Sequence, residues 1–333
     1  LFSADADYVV KGTFGTYTAM VDAGADARDV AASFNLLSGD TGVSATSLTK
    51  ANLSVSAAGT FSFTLQGKST TTSQITATVT STTDLTAIKD AINAVSGSTG
   101  ITAALSSDKA GINITQSEGY DILIGDVTTG STNADLVVAA MDMDNVKDTT
   151  DVTVDTTATI TTGAAATIAA TGHGFSVGDV VTYTAAGTTL AGLASGTSYI
   201  VGTVANANSF TLLTTTSGAV TYGNSGSANG VTGAGGNASD KFTRVGRSLD
   251  GDSTSGDSTA VVGVVRLSSQ NAYTVSPGNA ANIFSTSTTE ITASHNTISG
   301  ISLTTKAGAT KAMSIIDGAL LMISGIRSDM GSA

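Results

Sequence analysis

Two kinds of apolar spacing organise this chain: a helical one at its end and an alternating one through most of the rest. Across 305–333, Met313, Ile316, Leu320, Ile323 and Met330 recur at intervals of three, four and seven, which places them along one face of an α-helix. Ile315, Ala319, Met322 and Ile326 trace a second seam beside it. Two adjacent seams form a face wider than one neighbour covers, so this helix is expected to pack among several helices. The sequence offers none elsewhere, and the partners are expected outside it. Lys311 and Arg327 bound the apolar part and Asp317 interrupts it, leaving it shorter than the ~20 apolar residues a membrane span needs.

The alternating pattern is duplicated. Residues 17–45 align without gaps on residues 75–103, so that Asp26 meets Asp84, Asn35 meets Asn93, Gly39 meets Gly97 and Gly42 meets Gly100. Tyr17, Ala19 and Val21 alternate with polar residues as a half-buried strand does. Asp26, and Asp84 after it, stand where a carboxylate caps a helix N-terminus. Val30, Phe34 and Leu37 step along one helical face, and Gly39 is expected to end the helix in a left-handed conformation. A turn at Thr41 and Gly42 then leads to a strand over 43–48, and a turn at 50–52 to another over 53–55. Each unit therefore reads as strand, helix, hairpin.

Residues 142–157 are acidic and Thr-rich and mark a boundary. From 158 to 245 short alternating strands, clearest at 180–183, 198–204 and 209–213, are separated by Gly clusters and predict an all-β module. The Gly-rich run 223–236 reads as its connection outward. Residues 260–267 are apolar on both faces, as a central strand is, and Tyr273 leads into a turn at Ser276, Pro277 and Gly278. The strands expected beside 260–267 lie before residue 150, which makes 158–245 an insertion. The predicted class is α+β, a mostly β multidomain chain with short capped helices, an inserted all-β module and a C-terminal amphipathic helix. Its expected divisions are a first module copy (1–57), a second copy (58–150), the inserted domain (151–245), return strands completing a discontinuous inner domain (246–304) and the terminal helix (305–333).

Composition narrows the function. Only 12% of the residues are charged, against a usual figure of about 25%, and Ser, Thr, Ala and Gly fill the difference. The formal net charge of −12 is unrelieved by any Lys/Arg cluster, which excludes a nucleic-acid partner. The absence of cysteine removes disulfides, thiol catalysis and Cys-ligated zinc together. His173 and His295 are the sole histidines, and neither has an acid or second histidine at ligand or relay spacing. Asp250, Asp252 and Asp257 resemble a calcium loop, but Ser255 and Val261 occupy the positions where an EF-hand needs Gly and Glu. No cofactor, metal or catalytic residue is expected, and the chain does not read as an enzyme.

Ala307, Ala309 and Ala312, then Ile316, Asp317, Ala319 and Leu320, then Arg327, Met330 and Gly331 follow a recognisable order. They resemble the carboxy-terminal core helix of bacterial flagellin, with Met330 in place of a leucine. Ile92-Asn93-Ala94 before a Gly turn, followed by Gly119-Tyr120-Asp121-Ile122, resembles a module of the outer parts of flagellins and of some hook-associated and filament-cap proteins. The stretch 171–181 resembles a β module of phage tail and bacterial surface proteins. The flagellin resemblance implies an extracellular, self-assembling filament subunit whose partners are other copies of itself. It also implies that this chain, which begins at Leu1, is a piece lacking amino-terminal helices and a final carboxy-terminal segment. The assembly helix would work through Met313, Ile316, Leu320, Ile323, Arg327 and Met330, with outer β domains exposed and open to host or glycan surfaces. The competing expectations are a surface adhesin or glycan-binding module and a hook-associated or cap protein. Some flagellins carry an inserted metalloprotease marked by H-E-x-x-H, which this sequence lacks.

Overall fold

The computed structural model describes residues 5–130, 134–147, 150–153, 167–186, 189, 193–214, 240–249, 258–278, 290–293 and 306–332. The chain is mostly β with a few helices, an α+β fold. It opens with a hairpin of β1 (Ala6–Lys11) and β2 (Thr16–Val21), then α1 (Ala27–Leu36), the single turn α2 (Ser38–Thr41) and the long β3 (Ser44–Val55). The same order returns as β4 (Gly59–Gln66), β5 (Ser73–Val79), α3 (Thr86–Ala94), α4 (Ser96–Thr99) and β6 (Ile101–Leu105). β7 (Ile112–Gln116), β8 (Ile122–Thr129) and β9 (Leu136–Met141) follow.

The duplication therefore begins upstream of the sequence match. Ala19 faces Tyr8 in the first hairpin and Ala77 faces Phe61 in the second. Between these equivalent pairs the second hairpin is about five residues longer, 61 to 77 against 8 to 19, and that slip hides the relation between β1 and β4 from a gapless alignment.

Helix α1 starts as the sequence predicts, with the Asp26 carboxylate accepting the Asp29 N–H at 3.0 Å. Asp84 does not repeat this bond. Its carboxylate accepts from the Thr86 N–H and hydroxyl instead, and Leu85 is the cap residue of α3. Gly39 and Gly97 do not end the helices either, because the chain first makes the extra turn α2 or α4. Gly42 (φ 73°) and Gly100 (φ 70°) hold the left-handed position that closes it. Nor does the chain turn at 50–52: β3 runs unbroken for 12 residues because both of its halves find partners.

Those partners place the two copies. In the second copy β6 pairs with β7 and β4 with β8. In the first, the matching roles fall to β17 (Val264–Ser268) on β3 and β18 (Thr274–Pro277) on β1, strands that arrive more than 200 residues later. The second half of β3 meanwhile pairs with β7 and β9. One copy of the unit is thus nested, in sequence, inside the other.

The remaining strands are β10 (Thr150–Thr153), β11 (Ile168–Ala169), β12 (Asp179–Thr184), β13 (Ser198–Asn206), β14 (Ser209–Thr214), β15 (Lys241–Leu249), β16 (Thr259–Val261) and β19 (Ile291–Thr292). The chain ends in α5 (Lys306–Ser332). Strands β11 to β14 and Phe242 of β15 enclose a separate core of Phe175, Tyr183, Phe210 and their neighbours. The division expected at residue 245 falls inside β15, which pairs with β12 through Asp179–Thr184 and with β9 at Leu136, Val137 and Val138. The central strand expected over 260–267 is instead two short strands, β16 at the edge of the sheet holding β8 and β17 on β3. Gly263 separates them where a Cβ would overlap the Thr49 hydroxyl and the Ala27 Cβ, so the chain changes sheets at a point of backbone contact. The turn expected at 276–278 also starts later, since Pro277 still faces Tyr8 and the Gly278 N–H donates to the Asp7 carbonyl at 2.7 Å. The Gly-rich run 223–236 lies outside the described residues.

Candidate assembly surface

Helix α5 is 27 residues long, about 40 Å at 1.5 Å per residue. Its own sequence favours it weakly. Gly308, Gly318 and Gly325 each cost about 1 kcal/mol against alanine, and no acid in its first turn or base in its last complements the helix dipole. A helix so composed depends on packing. Yet Met313 (61% exposed), Ile316 (45%), Leu320 (57%), Ile323 (55%) and Met330 (72%) all face outward, as does Arg327. All six residues expected on the assembly seam are therefore accessible on one helix. The neighbouring face differs, with Ala312 buried and Ile315 and Ala319 half-buried. Among the described elements, none makes an extended contact along α5, and no described helix is long and apolar enough to cross a membrane.

The second candidate region is the nested copy. Ile88 and Ile92 are fully buried against Phe61, Phe63 and Ile75, each contributing about 1.5–3 kcal/mol by removal from water. Asn93 next to them ties the helix to the strand that follows: its amide donates to the Ala103 carbonyl at 2.9 Å and its oxygen accepts the Ala103 N–H at 2.8 Å. After β7 the Gln116 side-chain oxygen accepts three successive backbone N–H groups, of Glu118, Gly119 and Tyr120. That turn docks on the N-terminus of α1. The Arg28 N–H donates to the Gly119 carbonyl at 3.2 Å, and the Arg28 guanidinium lies 4.5 Å from the Tyr120 ring centre. Burial raises the Asp26 and Asp121 carboxyls above the usual range at this joint, against the N–H bonds each accepts.

The residues weighed for metal or catalytic chemistry do not converge. His173 is in a turn between Gly172 and Gly174, as its neighbours suggest, but it is also buried between Phe175 and Phe210. Its Nδ1 accepts the Phe175 N–H, which leaves Nε2 to donate to the Asn206 carbonyl at 3.1 Å. Both ring nitrogens are engaged in backbone bonds. His295, Asp250, Asp252 and Asp257 lie outside the described residues. Among the described residues no group of three or more His, Cys, Asp or Glu side chains is placed to hold a metal ion.

A strand hairpin, a short helix with one extra turn, an asparagine clamp and a second antiparallel strand pair thus define a small repeated α+β unit. Residues 60–118, from β4 through β7, match the family model described as the Flagellin hook IN motif. The chain carries a flagellin-type module there, and the first copy repeats its architecture. No curated protein matches the chain. Sequence reasoning found the Ile92-Asn93 signature but missed the completion of the first copy by β17 and β18, because strand pairing across so many residues leaves no local signal.

Proposed function

We propose that this chain is a flagellin, the structural subunit of an extracellular bacterial flagellar filament. In this reading α5 enters a bundle of helices shared between neighbouring copies, and the β-rich modules face outward. The observation that carries it is the exposed seam Met313, Ile316, Leu320, Ile323 and Met330 on a helix that its own composition leaves marginal. The flagellin-type module supports it from a region far away in the chain. A helical filament needs contacts that do not close on themselves, and a long apolar seam provides one side of such a contact.

The test is electron microscopy of filaments built by cells whose full-length protein carries Leu320→Ala. Burial in the bundle makes this substitution cost about 2–5 kcal/mol per subunit, so filaments should be short, unstable or absent. Filaments of normal length and stability would remove α5 from assembly. A hook-associated or filament-cap role is the second reading, because the matching module is described by the hook. Immunolabelling separates the two: decoration along the whole filament supports the subunit, and label confined to the hook junction or tip supports the alternative.

A further inference from the structure

The two copies of the unit expose different surfaces at equivalent places. Tyr17 and Met20 of β2 are 43% and 71% exposed. Their counterparts on β5 are Ile75, which is buried, and Thr78, which is polar. Both strands end their sheets, in the orders β19-β18-β1-β2 and β16-β8-β4-β5, so each presents a free ladder of backbone groups among the described residues. Protein edges of this kind are ordinarily blunted by charge, proline or bulges. The stretch 12–21 that contains β2 has no charged residue and no proline, in a chain whose net charge of −12 makes copies repel elsewhere.

We infer that β2 is a contact between copies of this chain, two β2 strands adding antiparallel about a two-fold axis at Thr18. Keeping equivalent faces together restricts the register to steps of two residues, because opposite residues in a ladder share a face, and of these the one centred on Thr18 sets Lys11 and Asp7 at the two ends of one row. Thr18 then meets Thr18, Thr16 meets Met20, and Tyr17 meets Ala19 of the second copy. Extended through the known pairing of β2 with β1, one row reads Lys11, Thr16, Met20, Asp7 across the four strands, and the two-fold generates it twice. Each row ends in opposite charges with the methionine between them. Asp22, exposed at one end of β2, falls opposite Phe14, itself 72% exposed. Lys11 already has a loose neighbour in Glu290 at 3.9 Å, so the apolar contacts of Tyr17 and Met20 carry the contact and the charges orient it.

A ladder of about five residues buries far less than the roughly 1,200 Å² of a stable interface. The pair is therefore transient in dilute solution and becomes populated where copies are held close together. This inference does not depend on α5, and a Leu320→Ala chain should behave identically in its test.

The absence of native cysteine makes the experiment direct. Thr18→Cys is introduced, with Thr76→Cys at the equivalent exposed site on β5 as the control, and disulfide-linked dimer is followed on non-reducing gels at high protein concentration. Thr18→Cys should crosslink several-fold faster than Thr76→Cys, and adding Met20→Lys should remove that advantage while the melting curve stays unchanged. Equal rates for the two cysteines would overturn the contact. Preferential linkage of Thr18→Cys to Thr76→Cys in a mixture would overturn the two-fold register.

Discussion

Asn35 repeats Asn93 bond for bond. Its amide donates to the Ala45 carbonyl at 2.9 Å and its oxygen accepts the Ala45 N–H at 2.8 Å, as Asn93 does with Ala103. No other side chain of that length both donates and accepts through a neutral planar group except an asparagine turned the same way. Asn35→Ala or Asn93→Ala should each cost about 1–3 kcal/mol, the penalty of leaving buried backbone groups unmet. Asn35→Ala is expected at the upper end because Ala45 is the more buried partner. Urea denaturation of each variant measures this, and a cost below the error of the method would mean that the clamp is incidental.

The glycines give a sharper contrast. Gly42 holds φ 73°, so Gly42→Ala should lower stability by about 1 kcal/mol or more. Gly39 lies inside α2 with open space where a Cβ would project, and Gly39→Ala should be neutral or stabilising by up to about 1 kcal/mol. Thermal melts of the two variants should move in opposite directions. Movement in the other sense would restore Gly39 as the helix terminator.

Deleting 158–245 and bridging the ends with a short Gly/Ser linker should leave the rest of the chain folded. The core around Phe175, Tyr183 and Phe210 draws only on residues within that stretch. The cut leaves Arg247, Ser248 and Leu249, which pair with β9. A single cooperative melt of the shortened chain is the expected result, and its loss would show that β15 cannot hold its place without β12.

Asp121 sets a pH dependence. Burial raises its folded carboxyl, opposed by the Gly263 N–H and reinforced by the negative charge of Asp26. A raised folded value means that the native state binds the proton more tightly than the unfolded chain, so this residue's contribution is most favourable at low pH and declines as pH rises through that value. Asp121→Asn removes the penalty and should raise the melting temperature at pH 7. The difference between variant and parent should shrink on acidification and vanish below about pH 3.9, the ordinary carboxylate value. A difference that is constant across pH would assign the effect to packing.

The sequence made the local devices legible. Asp26 as a cap, the buried face of Val30 and Phe34, the strands near 180, 198 and 209, and the exposed helical seam from Met313 to Met330 all follow from spacing and side-chain chemistry. What it obscured was decided by distant partners. Nothing near residue 50 indicates that β3 stays straight, because the reason is β17 beside its first half and β7 and β9 beside its second. Val261 and Val264 read as one strand until Gly263 meets Ala27 and Thr49. The Asp84 cap failed by a single residue, since the Thr86 hydroxyl competes for the same carboxylate oxygen. Residue 245 looked like a border because composition changes there, whereas hydrogen bonding continues through it.

The adjacency of β9 and β15 has a consequence for how such a chain diversifies. The chain leaves the nested pair near Met141 and re-enters along β15, where Val138 faces Arg247, so exit and return stand one ladder spacing apart, about 5 Å. Whatever lies between them is attached as if through a socket. Mutation, lengthening or replacement of that cargo is expected to leave the two-copy frame in place, because the pairing of β3 with β7, β9 and β17 does not run through it.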